Sequence, residues 1–406
     1  MKRELLPVSK FLKDYAILPP KLETVTLKTL VAAGYYLAED VIAPENLPGF
    51  FKSRVDGYAV DAAAVENASP SHPLELQLVG EVIMGERTAL RINRSECAYV
   101  PTGGMMPRGT NAVVMIEDTE KVSAGTIRIF KTVKPYENTT REDEDYRAGE
   151  PLLKAGTKLA SHKLMGLLYA GIEEVTVHRK ARVAVLSTGD EIVEPFEELK
   201  PAQVRDSSSY SIVLMLREKG FVAERLGIVK DDPETLRKTI HDSWDRFDVF
   251  LVCGGNSVGR KDFTKTVFNT LGDPGVLVHG VRIKPGKPFI FALAGGKILI
   301  GLPGHPVSSY VTARLLALPV LVHISGGIWD PSPDAKVTAE QPIPSEKERE
   351  EYVRVRLEWK DGKVFALPIL GTSSVISTVL KSHGLVRIPA GVELANEGTE
   401  LDFFRW

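Results

Sequence analysis

From Ala181 onward, the sequence alternates short apolar runs with amphipathic, capped segments. The run ARVAVLST is typical of a buried strand, and SSSYSIVLMLREKG is typical of a helix that ends at Gly220. VAERLGIV and DVFLVCGG predict two more strands, each followed by a helical segment. Repeated β-α-β units predict a mostly parallel sheet with helices on both faces. Right-handed crossovers then place all the strand-to-helix loops at one edge of that sheet.

The stretch from Val281 to Ser309 closes this pattern with two tight turns, 284–288 and 303–306. Two apolar runs separated by Gly295-Gly296 lie between the turns and predict a β-hairpin whose two ends are close together. Lys284 and Lys287 of the first turn would then face the same pocket as the N-terminus of the helix that follows the second turn. Such a pocket suits an oxyanion or a phosphate. A solvated, charged hairpin end is the alternative interpretation.

The remaining sequence predicts further domains, because 406 residues exceed the usual size of a single core. Segment 23–40 has the apolar spacing of an amphipathic helix. Short β-type runs between 53 and 133 predict a small β domain inserted into the first domain. After Pro331, a hairpin and further strands predict a C-terminal β domain. The predicted divisions are 1–50 with 136–178, 51–135, 179–328 and 329–406.

Composition excludes several classes of protein. The net charge is −2 and no basic stripe stands out, so no nucleic-acid partner is expected. No uninterrupted apolar run reaches the roughly 18 residues of a membrane span, and no secretory signal is expected at the N-terminus. The two cysteines, Cys97 and Cys253, are far apart in apolar runs, which indicates reduced core residues. A soluble, cytoplasmic protein without a membrane partner is expected.

Polar residues follow the predicted strands of the α/β domain. Thr188, Gly189, Asp190 and Glu191 come after the first strand, where phosphate or metal contacts are common. A turn with solvated acids is the alternative. Asp231 follows the second strand and faces the same edge. The next residue, Asp232, precedes Pro233 and is expected to cap a helix.

A glycine-rich loop, GGNSVG, follows the third strand and precedes a helix. Gly254 and Gly255 would allow backbone N–H groups to approach an anion, although many such loops are plain turns. Asp262 either binds a divalent cation or caps the following helix. The loop is neither a Walker motif nor a dinucleotide fingerprint. His305 has no partner at metal-ligand spacing, which favours a packing role.

Taken together, seven loops resemble the molybdopterin molybdenumtransferase family, to which the C-terminal domain of gephyrin belongs. Their order matches over essentially the whole chain. The seven are SRVDGYA (53–59), PTGGMMP (101–107), STGDE (187–191), KDDP (230–233), GGNSVG (254–259), IKPGKP (283–288) and GLPGHPVS (301–308).

The resemblance implies an elongated homodimer of four-domain chains. The implied fold has a central molybdopterin-binding α/β domain, an inserted small β domain, a mixed helical N-terminal domain that forms the dimer, and a C-terminal β domain. The implied reaction cleaves adenylated molybdopterin in the presence of Mg²⁺, releases AMP and inserts molybdate or tungstate into the dithiolene. A molybdopterin adenylyltransferase and cofactor-accepting apoenzymes are the implied protein partners.

Specific residues follow from the resemblance. The implied catalytic residues are Asp56, Thr102, Asp145, Glu191, Asp231, Lys284 and Lys287, of which the first three would come from the partner's side of the cleft. The implied binding residues are Thr188, Gly189, Asp190, Gly254, Gly255, Ser257, Asp262, Pro303, Ser308, Arg354 and Ser377. Mg²⁺ would be held by Asp190, Asp231 and Asp262.

The chain departs from the family pattern at six positions, of which only His305 lies within one of these loops. The departures are Thr140, Asp143, Arg260, His305, Ser374 and His383. Two alternative functions are therefore kept beside the molybdenum insertase. One is a molybdopterin-binding or scaffold protein with reduced turnover, and the other is a nucleotide phosphoanhydride hydrolase built on the same α/β domain.

Overall fold

The structure is a computed structural model that describes residues 5–255 and 263–406. Its N-terminal segment packs on a later part of the chain, since the ring of Phe11 meets the edges of Phe289 and Phe291 at centroid distances of 5.1 and 5.6 Å. The elements up to residue 53 are α1 (Val8–Lys10), a π-helical segment (Phe11–Tyr15), β1 (Thr24–Lys28), a 3-10 turn (Thr29–Val31), β2 (Tyr36–Leu37), β3 (Val41–Ile42) and β4 (Lys52–Ser53).

The predicted helix over 23–40 is wrong. The segment contains β1 and β2 instead, and Gly34 between them has a φ of +79°, which no continuous helix accommodates. The apolar stripe that suggested a helix is not buried as one face, because Leu30 and Val31 are 76% and 63% exposed. The β-branched sequence of β1 favours a strand once a partner strand from residues 174–178 is available.

The inserted β region is a six-stranded sheet in the order β8-β5-β7-β6-β10-β9. All of its neighbouring pairs are antiparallel except β6 with β7. The β-type runs at 58–60, 74–79, 97–100, 112–116 and 126–129 predict five of these strands, whereas no run predicts β9. The elements are β5 (Gly57–Val60), a 3-10 turn (Ala62–Ala64), β6 (Leu74–Glu81), β7 (Glu96–Val100), β8 (Ala112–Met115), a 3-10 turn (Ile116–Asp118), β9 (Thr119–Ser123) and β10 (Thr126–Ile129).

The chain then returns to pair with the strands it left before the insertion. β11 pairs with β4, β12 pairs with β3, and β13 lies between β1 and β2. The pairing of β4 with β11 brings together the entry to the inserted sheet and the exit from it. The returning elements are β11 (Thr139–Thr140), β12 (Pro151–Leu153), α2 (Ser161–Tyr169) and β13 (Glu174–His178).

The next region is the α/β sheet predicted from the alternating pattern. Its order is β17-β14-β18-β22-β21-β19, in which the first four strands are parallel to one another and β21 is antiparallel to both of its neighbours, β22 and β19. The predicted hairpin is confirmed as β21 and β22. The strands are β14 (Arg182–Thr188), β15 (Ile192–Val193), β16 (Val204–Arg205), β17 (Val222–Val229), β18 (Val249–Cys253), β19 (Pro274–His279), β20 (Ile283–Lys284), β21 (Ile290–Ala294) and β22 (Lys297–Leu302).

Helices cover both faces of this sheet because alternate strand residues point to opposite sides. Val183 and Val185 pack with α1, α3, α6 and α7, whereas Ala184 and Leu186 pack with α4 and α5. The helical elements are α3 (Ser208–Glu218), α4 (Pro233–Asp242), a 3-10 turn (Trp244–Arg246), α5 (Phe263–Thr270), α6 (Pro306–Thr312), a π-helical segment (Ala313–Ala317) and α7 (Leu318–Ile324).

The continuous helix Pro306–Ile324 is long and apolar enough, by length and composition, to cross a membrane. In this structure 83% of its apolar window is buried inside the protein, as expected for the central helix of a core.

The C-terminal region forms a closed sheet. Its order is β20-β25-β26-β23-β29-β27, and β25 also pairs with β27, which completes a barrel. β20 is part of the α/β region, and its parallel pairing with β25 joins the two regions through backbone hydrogen bonds. The elements are β23 (Ala335–Ala339), β24 (Ile343–Pro344), β25 (Glu350–Lys360), β26 (Lys363–Pro368), α8 (Ser377–Leu380), β27 (Gly384–Ile388), β28 (Leu394–Ala395) and β29 (Glu400–Arg405).

Candidate active site between the sheet edge and the C-terminal barrel

A cavity of about 1350 Å³ lies between the carboxyl edge of the α/β sheet and the C-terminal barrel. This volume exceeds the roughly 300–1000 Å³ typical of a small-molecule site, so it has room for a ligand of dinucleotide size. Its lining mixes both signs of charge. The cationic and ionisable basic residues are Arg205, Lys284, Lys287, His305, Arg349 and Arg354, and the acidic ones are Glu191, Asp206, Asp231, Glu346 and Glu351.

The strand-to-helix loops meet at this cavity, as the parallel sheet predicts. Thr188 ends β14 and Gly254 follows β18 on the neighbouring strand. Gly254 has a φ of +104°, and a Cβ there would lie 2.5 Å from the backbone oxygen of Thr188, so the two loops touch backbone to backbone. The Oγ1 atom of Thr188 is buried without a hydrogen-bond partner among the described residues. A polar atom of this kind beside a cavity is suited to a ligand.

The lysine turn contributes the cationic side of the cavity. The Nζ atom of Lys284 lies 3.0 Å from Glu351 and 3.2 Å from Glu346, whereas Lys287 is exposed. Burial lowers the pKa of Lys284, but the two carboxylates raise it by more, so the net pKa is above its ordinary value. Lys284 is therefore charged at neutral pH.

Arg354 projects from β25 and is 7% exposed. One of its Nη atoms donates to the backbone oxygen of Gly371 at 2.5 Å, and its Nε has no hydrogen-bond partner among the described residues. Burial lowers the pKa of this guanidinium, and the nearby Glu351 carboxylate opposes that effect. A buried cation that is incompletely hydrogen-bonded at a cavity wall is a strong site for an anion.

His305 joins the second turn to the C-terminal barrel. Its Nδ1 lies 3.3 Å from the Oγ of Ser373, and both residues line the cavity. His305 also precedes α6, whose first residue is Pro306, so the N-terminus of a long helix opens on the cavity. The predicted packing role of His305 therefore becomes a contact between two domains.

Most of the predicted α/β and C-terminal site residues line this one cavity. They are Thr188, Gly189, Glu191, Asp231, Gly254, Gly255, Lys284, Lys287, Pro303, Ser308 and Arg354. Two predicted residues of the same regions, Asp190 and Ser377, are not part of its lining. Ser257 and Asp262 lie outside the described residues.

Three predicted residues lie in the N-terminal half of the chain and do not line the cavity. The carboxylate of Asp56 accepts a hydrogen bond from the backbone N–H of Thr102 at 2.7 Å, so these two residues form one small cluster on the inserted sheet. Asp145 lies on the returning connector, where its N–H donates to the oxygen of Leu47. The structure thus brings Asp56 and Thr102 together, away from the lysine turn of the same chain.

The Mg²⁺ site implied by the resemblance can be compared with the residues present. The carboxylate of Asp190 accepts a hydrogen bond from the backbone N–H of Asp231 at 3.2 Å, so two acidic residues are adjacent at the sheet edge. Within 5–255 and 263–406, no three His, Cys, Asp or Glu side chains form a metal-binding cluster. Mg²⁺ commonly takes one or two carboxylates together with substrate phosphates, so this pair fits its donor chemistry.

Several residues of the site are not predicted from the sequence. Glu346, Arg349 and Glu351 come from a charged run, SEKEREE, that reads as a solvated segment until β25 pairs with β20. Asp206 is 3% exposed and accepts hydrogen bonds from Ser187 Oγ at 2.9 Å and from the Ser209 N–H at 3.1 Å. Its position two residues before the start of α3 was a usable signal, because an acidic residue close to a helix N-terminus is favoured there.

Comparisons with known proteins cover nearly the whole chain. Residues 6–171 match the MoeA N-terminal region (domain I and II), residues 184–323 match the probable molybdopterin-binding domain, and residues 336–406 match the MoeA C-terminal region (domain IV).

Individual relatives agree with these matches. A putative molybdopterin biosynthesis protein from Methanocaldococcus jannaschii is 34% identical, over 90% of this chain and 88% of the relative. A molybdopterin molybdenumtransferase from Nostoc is 30% identical, over 95% of this chain and 90% of the relative. The crystal structure of a molybdopterin biosynthesis MoeA protein from Pyrococcus horikoshii aligns with a TM-score of 0.79 at 32% identity, over 99% of both chains.

Proposed function

Because this chain belongs to the molybdopterin molybdenumtransferase (MoeA) family, we propose that it is a molybdenum insertase of molybdenum cofactor biosynthesis. Its substrates are adenylated molybdopterin and molybdate or tungstate, and its products are the metallated cofactor and AMP. The observation that carries the proposal is the large cavity between the sheet edge and the barrel, which has cationic residues on one side and carboxylates on another.

The cationic side suits the oxyanion. Molybdate is a dianion, and in a partly enclosed cavity it requires positive charge and hydrogen-bond donors. Lys284, Lys287 and Arg354 supply the charge, and the hydroxyl of Ser308 at the start of α6 supplies a donor. The N-terminus of the helix adds attraction for an anion.

The sheet edge suits the adenylate. The loops at Thr188 and Gly254 offer backbone and hydroxyl groups to a phosphate, as loops at the carboxyl ends of parallel strands commonly do. When bound, Mg²⁺ would neutralise charge on the phosphoanhydride. Asp190 and Asp231, which lie on two neighbouring loops, are the described residues that would hold it, and Glu191 follows Asp190 on the first loop.

The same proposal includes a cytoplasmic homodimer. Asp56, Thr102 and Asp145 then belong to a surface that faces the cavity of the partner subunit, which accounts for their distance from the cavity of their own chain. A molybdopterin adenylyltransferase would supply the substrate, and apoenzymes that require the cofactor would receive the product.

The test is a turnover assay with purified protein, adenylated molybdopterin, Mg²⁺ and molybdate. The proposal expects AMP release together with a metallated dithiolene, and it expects both products to decrease when Mg²⁺ is chelated. Binding of molybdopterin without AMP release would instead support the binding or scaffold function. Hydrolysis of common nucleotides without molybdopterin would support the phosphoanhydride hydrolase.

A further inference from the structure

Lys284 sits in a charge cluster that contains two cations and two carboxylates. Its Nζ contacts Glu346 at 3.2 Å and Glu351 at 3.0 Å, and Arg349 forms an ion pair with the second oxygen of Glu346. All four residues line the cavity. The charges of the cluster cancel, so a dianion that approaches Lys284 meets carboxylates where the proposed function requires net positive charge.

The two carboxylates of this cluster are held differently. Glu351 lies directly opposite Lys284 in the β20–β25 strand pair and is 9% exposed. One of its oxygens also accepts hydrogen bonds from the Ser345 hydroxyl at 3.1 Å and the Glu346 N–H at 3.2 Å. Turning this side chain away would break the ion pair and both hydrogen bonds of a largely buried carboxylate, so Glu351 stays as the counterion of Lys284.

Among the described residues, the carboxylate of Glu346 is paired only with cations. It lies on the segment between β24 and β25, outside both strands, and its side chain is 40% exposed. Its partners in the cluster, Lys284 and Arg349, are the two groups that an oxyanion would also select. Turning this side chain out to solvent breaks two ion pairs and no strand hydrogen bond.

We propose that Glu346 is a displaceable carboxylate that competes with the substrate oxyanion for Lys284 and Arg349, while Glu351 keeps Lys284 in position. This inference rests on the proposed function, because it concerns how the oxyanion substrate binds in the same cavity. Binding is then an exchange of one anion for another on the same cations. The apparent association constant is then the intrinsic one multiplied by the fraction of molecules in which Glu346 has moved away.

The exchange also favours selectivity. A monovalent or weakly bound anion gains little by replacing the Glu346 carboxylate, which is already paired with two cations. A tetrahedral dianion gains more, because it can contact the ammonium of Lys284 and the guanidinium of Arg349 together. Glu346 therefore excludes common small anions more effectively than it excludes molybdate or tungstate.

The experiment titrates the full-length protein with sodium molybdate and with sodium tungstate, using isothermal calorimetry. Glu346→Gln should bind either oxyanion about two- to fivefold more tightly than the unsubstituted protein, the effect expected when a half-exposed ion pair is removed. Its selectivity over chloride should also decrease. Glu348→Gln is the matched control, because Glu348 is an exposed acid of the same segment that does not line the cavity, and its affinity should be unchanged.

A second measurement reports the displacement itself. Carbodiimide labelling of the Glu346 carboxylate in the unsubstituted protein, read by mass spectrometry, should increase on addition of molybdate, because the side chain leaves its cations for solvent. Equal or weaker binding by Glu346→Gln, equal tightening by Glu348→Gln, or unchanged labelling of Glu346 would each overturn the inference. Absence of oxyanion binding in every variant would overturn it too.

The turnover assay separates this inference from the proposed function. Tighter oxyanion binding by Glu346→Gln without any AMP release would support the competition and contradict the insertase. AMP release with unaltered oxyanion affinity in Glu346→Gln would support the insertase and contradict the competition.

Discussion

The Nζ atom of Lys284 lies 3.0 Å from the carboxylate of Glu351, and the two residues stand opposite each other in the parallel pair of β20 and β25. One residue belongs to the α/β region and the other to the C-terminal barrel. A change in how these two regions pack therefore moves the lysine relative to the sheet-edge loops. The oxyanion side of the cavity is built jointly by the two regions.

Replacement of Lys284 and Lys287 together by alanine should lower molybdate-dependent product formation by at least about 100-fold. Each lysine supplies a charge-assisted contact of roughly 1.5–3 kcal/mol, so the loss of both removes most of the oxyanion affinity. Product formation is measured by mass spectrometry of the released cofactor. Lys297→Ala, at the far turn of the same hairpin, is the control and should keep its activity. Unchanged activity in the double variant would place the oxyanion elsewhere.

Arg354→Met should separate binding from stability. The substitution removes a buried guanidinium whose Nε has no partner among the described residues and fills the same space with an apolar chain. Since a buried, incompletely paired charge contributes little to folding, the free energy of unfolding should change by less than about 1 kcal/mol. Oxyanion affinity, measured by calorimetry, should decrease at least about tenfold. A large loss of stability with unchanged affinity would contradict the assignment.

Asp248→Asn should destabilise the protein in a pH-dependent way. Asp248 is 8% exposed and binds the guanidinium of Arg179 through two hydrogen bonds of 2.7 and 2.8 Å. Burial raises the pKa of this carboxyl, but Arg179 and the N–H of Arg182 lower it by more, so its net pKa is below the ordinary value of 3.8. The unsubstituted protein should therefore be more stable than the variant by about 3 kcal/mol at neutral pH.

The sign of this pH dependence follows from the lowered pKa. The stabilisation by Asp248 is fully present above the pKa of the unfolded state and is lost as the pH falls through the lower pKa of the folded state. Urea unfolding curves of Asp248→Asn and the unsubstituted protein should thus approach each other as the pH falls below about 3.8. Asp245→Asn, which alters an exposed acid nearby, should show no comparable difference at any pH. A difference in unfolding free energy between the two proteins that stays constant as the pH is lowered would contradict this assignment to Asp248.

Asp206→Asn should cost about 3 kcal/mol of unfolding free energy, because it breaks a buried hydrogen-bond network. The carboxylate accepts from Ser187, from the backbone and hydroxyl of Ser209, and from the guanidinium of Arg225 at 3.1 Å. Glu194→Gln removes the more exposed partner of the same arginine and should cost less than about 1 kcal/mol. The free energy of unfolding of both variants is measured by denaturant titration. Equal losses of unfolding free energy would contradict the expectation that the buried partner of Arg225 contributes more than the exposed one.

The α/β sheet could be predicted from the sequence because its signals are local. Each strand is a short apolar run, each helix carries its own cap, and Asp232 caps α4 as its position before Pro233 predicts. The helix predicted over 23–40 is wrong because the structure of this segment depends on a part of the chain that is distant in sequence. β1 is stabilised by pairing with β13, about 150 residues later in the chain, and no window of the sequence contains that information.

The same distinction applies to the site. The lysine turn and the sheet-edge loops follow from the order of strands in one domain, and they do line one cavity. Glu346, Arg349 and Glu351 reach that cavity only because β25 pairs with β20. A run of charged residues is usually a solvated surface, and only the contact between two domains gives this one a different environment.

The pairing of β4 with β11 has a consequence for rebuilding this protein. Ser53 lies opposite Thr139, so the six-stranded inserted sheet leaves the rest of the chain and rejoins it at neighbouring points. Segments whose ends are adjacent can be removed, exchanged or transplanted with little disturbance to what remains. A tight turn joining Lys52 to Thr140 would close the gap, and the shortened chain would keep the described residues that line its own cavity while it lacks Asp56 and Thr102, which the proposed dimer presents to the partner.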